Sequence, residues 1–168
     1  MSTAPKFRLQ AIMLASFIFI TDQAIKYAMI VPLDLKSRHF IHLHPFFRFA
    51  WAENRGVSMG FLTAGSDTQR WMLVGLTALI ATIVAVWMWR EKARGEALAL
   101  ALIQGGACGN IVDRVRYGYV ADYLDLHFGE FRPFQIFNFA DAAISIGVVI
   151  LLARAFFMRK EGSEVQQP

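Results

Sequence analysis

Cysteine is almost absent from this sequence, which contains a single one, Cys108. One cysteine excludes an internal disulfide and any zinc site built from cysteines. Charged residues are also scarce, at 18% of the chain against about 25% in soluble proteins. The net charge of +4 does not indicate a nucleic-acid partner, because the basic residues form no stripe interleaved with aromatics on a polar domain. Basic residues beside membrane spans are the more ordinary source of such an excess.

Long apolar runs are what the sequence has instead, with hydrophobic residues at 56% of its 168 positions. The clearest run lies between Trp71 and Trp89 and contains no charge. As a helix it would be about 28 Å long, and its terminal tryptophans are typical of anchors at a membrane interface. We predict one membrane-embedded, all-α domain over residues 1–168 with four transmembrane helices. The predicted spans are about 9–31, 70–89, 96–114 and 139–158, followed by a polar tail at 159–168.

The first apolar run begins like a secretory signal, with Lys6 and Arg8 before a hydrophobic stretch. No small-x-small cleavage site follows it, and a second apolar stretch continues to Pro32, so we predict a retained helix. Asp22 and Lys26 are four residues apart, which places them on one face of that helix, where they can form an ion pair.

The loop at 32–70 contains aromatic residues at alternate positions from Phe47 to Trp51, a pattern that predicts a β-strand. Asn54-Arg55-Gly56 then predicts a turn. We expect a small sheet on the membrane surface. The three histidines of this loop do not predict a metal site, because no glutamate or cysteine stands at a metal-site spacing and no HExxH motif is present. They are His39, His42 and His44.

Residues 56–60 match the G-x-S-x-G pattern of serine hydrolases. That pattern has a function only between a buried strand and a helix of a large α/β sheet. A chain this short and hydrophobic cannot build such a sheet, so we do not assign a nucleophile to Ser58.

Carboxylates beside the apolar runs are the most informative feature, since charges near lipid are costly and usually functional. The denser basic residues at both ends and in the 90–96 turn predict that both termini are cytoplasmic. This topology brings four acids to the outer leaflet: Asp22, Asp113, Asp122 and Asp141. Two carboxylates that share a site retain one proton, so one can deprotonate water while the other hydrogen-bonds a scissile carbonyl.

Asparagines can orient such carboxylates without adding charge. Asn110 and Asn138 each precede an aspartate by three residues, Asp113 and Asp141, and Arg114 is a candidate counter-ion. Two other hypotheses stay open from the residues alone. The acids could line a proton or ion pathway in a small carrier or channel, or the chain could be a non-catalytic scaffold that packs through Gly105 and Gly109.

Five short blocks of the sequence resemble the signature blocks of the lipoprotein signal peptidase (signal peptidase II) family, in the family's order. They are Thr21-Asp22-Gln23 with Lys26, Asn54-x-Gly56, Gly105-Gly106-Ala107-x-Gly109-Asn110-x-x-Asp113-Arg114, Gly118-x-Val120-x-Asp122-Tyr123 and Phe137-Asn138-x-Ala140-Asp141. The resemblance implies a four-helix membrane bundle with an extracytoplasmic β-cradle and a short amphipathic helix in the first loop. It implies an aspartic endopeptidase that cleaves diacylglyceryl-modified prolipoproteins just before the lipid-bearing cysteine. No cofactor or metal is expected.

By position, the resemblance implies that Asp122 and Asp141 are the catalytic pair. It implies two further groups of residues, which are substrate-binding (Asn54, Asn110, Arg114, Asn138) and supporting polar (Asp22, Lys26, Asp113). The chain departs from the family pattern at Ser58-Met59, where Ala-Phe is more common, and at Cys108, where an aliphatic residue is common. We expect a bacterial inner-membrane monomer whose active site lies at the periplasmic face and whose partners are prolipoproteins and membrane lipids.

Overall fold

The computed structural model describes residues 6–56, 67–129 and 131–164. The Ser58-Met59 departure and all of the G-x-S-x-G match except Gly56 lie outside these ranges. Four helices in this part of the chain are long and apolar enough to cross a membrane, which confirms the predicted four-helix class. In chain order the elements are α1 Lys6–Ile30, α2 Leu35–Arg38, β1 Phe40–His44, β2 Phe47–Asn54, α3 Asp67–Arg90, α4 Arg94–Tyr117, β3 Val120–Leu126 and α5 Phe139–Glu164.

Helix α4 is the centre of the bundle, and the other three long helices all pack against it. Close approach depends on glycine: a Cβ on Gly105 would lie 2.5 Å from the carbonyl oxygen of Ala15 in α1, and one on Gly106 would lie 2.5 Å from that of Ala140 in α5. One turn further along α4, Gly109 faces the carboxylate of Asp22. These glycines therefore let helices approach closely, and they bring α1 and the start of α5 to the same level of α4.

A three-stranded antiparallel sheet in the order β1-β2-β3 lies beside the bundle. The strand predicted from the aromatic alternation is confirmed as β2. Asp122, in contrast, was expected in a loop, and the structure places it within β3, opposite Ala52 of β2. Residues 120–123 of β3 are all buried, on both faces of the strand. The sequence of β3 therefore lacks the alternation of polar and apolar residues by which a half-exposed strand is recognised.

The turn from α4 into β3 is made by Gly118, whose φ is +82°. Its N–H donates to the carbonyl oxygen of Arg114, which is the common glycine ending of an α-helix. Side chains other than glycine are strained at this φ, so the residue allows the chain to reverse and carry Asp122 back over the helix ends. In the first loop, the single turn of α2 buries Leu35 and exposes its three polar residues.

Candidate active site

The centre of the polar cluster is Lys26, whose side chain is only 2% exposed. Its Nζ lies 2.9 Å from Asp22 Oδ2 and 2.8 Å from Asp113 Oδ2, so the predicted Asp22–Lys26 ion pair is present and is shared with a second acid. Gln23 completes the cluster, because its Nε2 donates to Asp22 at 3.2 Å and to Asp113 at 3.1 Å. Sequence reasoning had assigned no role to Gln23, although it stands next to Asp22 in one of the quoted blocks.

The same two acids also accept backbone hydrogen bonds from distant parts of the chain. Asp22 Oδ1 accepts the N–H of Ala140 at 3.1 Å, and Asp113 Oδ2 accepts the N–H of Ala121 at 3.2 Å. Ala140 and Ala121 directly precede Asp141 and Asp122 in the sequence. The buried ion cluster therefore fixes the backbone beside each proposed catalytic acid.

Asp141 lies in the first turn of α5, where it forms a reciprocal cap with Asn138. The Asn138 side-chain oxygen accepts the Asp141 N–H at 2.9 Å, and Asp141 Oδ2 accepts the Asn138 N–H at 3.2 Å. This is the capping-box arrangement of a helix N-terminus. The other carboxylate oxygen, Oδ1, accepts the side-chain N–H of Asn110 at 2.8 Å. Amide groups therefore hold both oxygens of Asp141.

Asp122 is 2% exposed and accepts a 2.6 Å hydrogen bond from the side-chain Nδ2 of Asn138. The same Nδ2 donates to Asn110 Oδ1 at 3.2 Å. Burial raises the pKa of Asp122 from 3.8 to about 6, the negative charge of Asp141 adds to this, and hydrogen bonds from Asn54 and Asn138 oppose it. Asn138 thus connects the two proposed catalytic acids, with its N–H on one and its side-chain amide on the other.

One expected pairing differs from the structure. Asn110 was expected to orient Asp113, but its amide turns to Asp141, because Asp113 is already paired with Lys26. Arg114, the candidate counter-ion, forms none of the ion pairs found among the described residues, and its Nη1 lies 3.4 Å from the carbonyl oxygen of Asn110. It nevertheless lies close enough to Asp141, Asp122 and Asp113 to attract them electrostatically. These contacts depend on the orientation of α4 relative to α1 and α5. The spacing of residues along α4 does not reveal that orientation.

A cavity of about 660 Å³ is lined by both Asp122 and Asp141. The rest of its wall comes from the end of β2, the segment before α5 and the first turns of α5: Asn54, Pro133, Phe134, Gln135, Ile136, Phe137, Ala142, Ser145 and Ile146. Ile146 is 55% exposed on the outside of the bundle, so the cavity reaches the surface that faces lipid. Of the four residues expected to contact substrate, Asn54 lines this cavity, whereas Asn110, Arg114 and Asn138 do not.

A second cavity, of about 290 Å³, lies on the sheet side of Asn54 and is lined by more polar residues. It shares Asn54, Asp122, Gln135 and Ile136 with the first cavity. The two spaces therefore adjoin each other at these four residues.

Comparisons with known proteins give one consistent result. Residues 14–157 match the family described as signal peptidase (SPase) II. The lipoprotein signal peptidase of Rhizorhabdus wittichii is 54% identical over 146 residues, covering 87% of this chain and 85% of the relative. That of Sphingopyxis alaskensis is 51% identical over 150 residues, covering 89% and 87%.

Two solved structures of bacterial membrane enzymes, both determined by the in meso method, have the same fold. One superposes with a TM-score of 0.74 at 23% identity, covering 95% of this chain and 93% of the other. The second superposes with a TM-score of 0.74 at 27% identity, covering 87% and 92%.

Proposed function

The chain belongs to the signal peptidase II family, and from this premise we propose that Asp122 and Asp141 are the pair with which it cleaves prolipoproteins before their lipid-modified cysteine. One observation carries the assignment: both side chains line the same cavity, next to the lipid-facing side of α5. Asp22 and Asp113, in contrast, are paired with Lys26 and do not line that cavity.

The proposed reaction uses one ionised and one protonated carboxylic acid. The raised pKa of Asp122 makes this residue the member that holds the shared proton and donates a hydrogen bond to the scissile carbonyl. Asp141 takes a proton from the attacking water, whose oxygen forms the new bond to the carbonyl carbon. Asp141 then returns that proton to the cysteine nitrogen as the carbon–nitrogen bond breaks, so no net proton is lost.

We also propose the location of this chemistry. The basic residues near the start of α1 and in the turn from α3 to α4 support a topology with both termini in the cytoplasm of a bacterium, in which the sheet and the cavity are at the periplasmic face of the inner membrane. At that depth the acyl chains of a substrate can remain in the outer leaflet while the peptide bond reaches Asp122. Membrane lipids would then border the cavity, and a monomer contains every residue of the proposed site.

The carrier or channel hypothesis is not supported, because the comparisons match peptidases. The scaffold hypothesis is set aside for the same reason. The acids also have a placement that suits a hydrolase, because Asp22, Asp113, Asp122 and Asp141 belong to one connected network at one end of the bundle.

The decisive experiment is cleavage of a purified diacylglyceryl-modified pre-substrate by the full-length protein in detergent or nanodiscs. We expect Asp122→Asn and Asp141→Asn each to abolish cleavage while the protein still inserts and folds. Asp67→Asn is the matched control, because Asp67 is 89% exposed at the start of α3 and we expect full activity. Full activity in either Asp122→Asn or Asp141→Asn would refute the assignment.

A further inference from the structure

The second cavity has a charged rim that the proposed chemistry does not use. Glu53 at the rim is held by two cations: Lys36 Nζ lies 2.8 Å from Oε1, and Arg55 Nη2 lies 2.6 Å from Oε2. Both cations also lie over the ring of Tyr119, at 5.7 Å and 5.6 Å from its centroid. Arg55 and Glu53 line the cavity and balance each other, and Lys36, which lies outside the lining, adds one positive charge to this three-residue rim.

Arg55 is the part of this rim that a ligand can reach. Its side chain is 57% exposed, it lines the cavity together with Glu53, and one of its nitrogens is engaged by the Glu53 carboxylate. A guanidinium has five N–H donors in a planar fork, which suits a second carboxylate. Glu53 and Tyr119 hold the guanidinium of Arg55 in one position, so a ligand would not have to restrict its motion on binding.

The position of the cavity identifies the part of a substrate that it can accept. A lipid-modified prolipoprotein has two apolar parts, the acyl chains and the signal peptide, and the larger cavity suits both because its wall is mostly apolar and reaches lipid. The segment after the cysteine is the part that leaves the membrane. The smaller, more polar cavity adjoins the larger one at Asp122, so it is placed to receive the chain beyond the scissile bond.

We infer, on the basis of the proposed function, that the 290 Å³ cavity is a subsite for the first residues after the modified cysteine, and that Arg55 makes this subsite favour acidic side chains there. An acidic side chain would meet the free donors of Arg55, whereas a lysine would meet the net positive rim. The subsite thus selects among substrates that share the same lipid and signal peptide.

The test uses the full-length enzyme and three diacylglyceryl-modified peptides that differ only at the second and third residues after the cysteine, which are Asp, Ser or Lys. We expect kcat/KM to rank Asp above Ser above Lys, with an Asp-to-Lys ratio of about fivefold, since exposed ion pairs contribute modestly. The ratio should shrink at high salt, because salt screens exposed charges.

Four variants separate the local contact from the general charge of the protein. Arg55→Gln should bring the Asp-to-Lys ratio to about one, and Arg55→Lys should retain most of it. Glu53→Gln should raise the ratio, because it removes the carboxylate that pairs with both Lys36 and Arg55. Arg38→Gln is the matched control: it removes the same charge from the exposed end of α2, outside the cavity lining, and should leave the ratio unchanged.

The outcomes distinguish a failure of the proposed function from a failure of the proposed subsite. If wild-type enzyme fails to cleave even the Ser peptide, the proposed function is wrong. If it cleaves the Asp, Ser and Lys peptides equally well, the function stands and the charged subsite is wrong. A ratio that survives Arg55→Gln in a protein that still cleaves the Ser peptide would overturn the role of Arg55.

Discussion

The two pairs of aspartates at this end of the bundle have the same side chains but different partners. Asp22 and Asp113 share one cation, Lys26, and both are 0% exposed. Asp122 and Asp141 are joined through neutral amides and line a cavity. The first pair is bound by a buried cation and lies outside the cavity wall, whereas the second pair is hydrogen-bonded by amides and borders space that a substrate can enter. The difference separates an acid pair that builds the site from one that can perform chemistry in it.

Asn110 connects the two pairs and shows how closely they are coupled. Its side-chain oxygen accepts a hydrogen bond from Lys26 at 3.1 Å, and its amide nitrogen donates to Asp141 at 2.8 Å. The cation is thus one residue away from the proposed catalytic pair without touching it. This arrangement predicts that mutations in the two pairs will have separable effects on stability and on activity.

The largest effect on stability is expected from Lys26→Met, which removes the cation and leaves two buried carboxylates without a counter-charge. Losing one partner of a buried ion pair costs about 3–5 kcal/mol, so we expect a strongly lowered midpoint of thermal unfolding in detergent. The triple variant Lys26→Met, Asp22→Asn, Asp113→Asn removes all three charges and should recover part of the loss. Equal stability of Lys26→Met and wild type would show that the two acid pairs do not differ in this way.

The next largest effect concerns Asp122 and depends on pH. Its pKa is raised from 3.8 to about 6 on folding, so between these values the folded protein binds a proton that the unfolded chain has released. The contribution of Asp122 to stability is therefore greatest below about pH 4, decreases as the pH rises towards 6, and reaches a penalty of about 3 kcal/mol above it.

Asp122→Asn removes this titration, so the variant should be more stable than wild type at neutral pH and similar to it near pH 4. Thermal unfolding of both proteins across this pH range measures the difference. A constant difference between the two proteins would exclude Asp122 as the titrating group.

Asn138 has two separable roles, and we expect its substitution to have an intermediate effect. Asn138→Ala removes both the cap of α5 and the link to Asp122, with a cost of about 1–2 kcal/mol from the lost cap. Asn138→Ser keeps a capping oxygen but cannot reach Asp122. We expect the serine variant to retain most of the stability and to lose cleavage activity as strongly as the alanine variant. If the serine variant were fully active, the link to Asp122 would be unimportant.

The smallest effect is expected at Asp125, which lies on β3 outside both acid pairs. Its carboxylate lies 2.7 Å from Arg48 Nε and 3.3 Å from Arg132 Nε, and Arg132 leads into the wall of the larger cavity. Asp125→Asn should loosen this wall and raise KM about threefold with little change in kcat, since a partly exposed ion pair contributes up to about 1 kcal/mol. A lower kcat with unchanged KM would contradict this positioning role.

Local spacing was sufficient to predict some of these contacts. Asp22 and Lys26 meet because residues four apart share a helix face, and Asn138 and Asp141 cap one another because three residues separate them. The partner of Asn110 could not be predicted, because it depends on the approach of α5 to Gly106 across α4. Strand β3 was missed for a related reason: its residues are buried through pairing with β2 and contact with the bundle, so they lack an alternating pattern.

Helix α1 contributes no residue to the wall of the larger cavity, yet Asp22 on α1 accepts a hydrogen bond from the N–H of Ala140, the residue before Asp141. The relative position of Asp122 and Asp141 therefore depends on contacts among α1, α4, α5 and β3. If these two acids are the catalytic pair, a chain whose α5 has not yet docked would be inert, and cleavage of bystander proteins during insertion would be avoided.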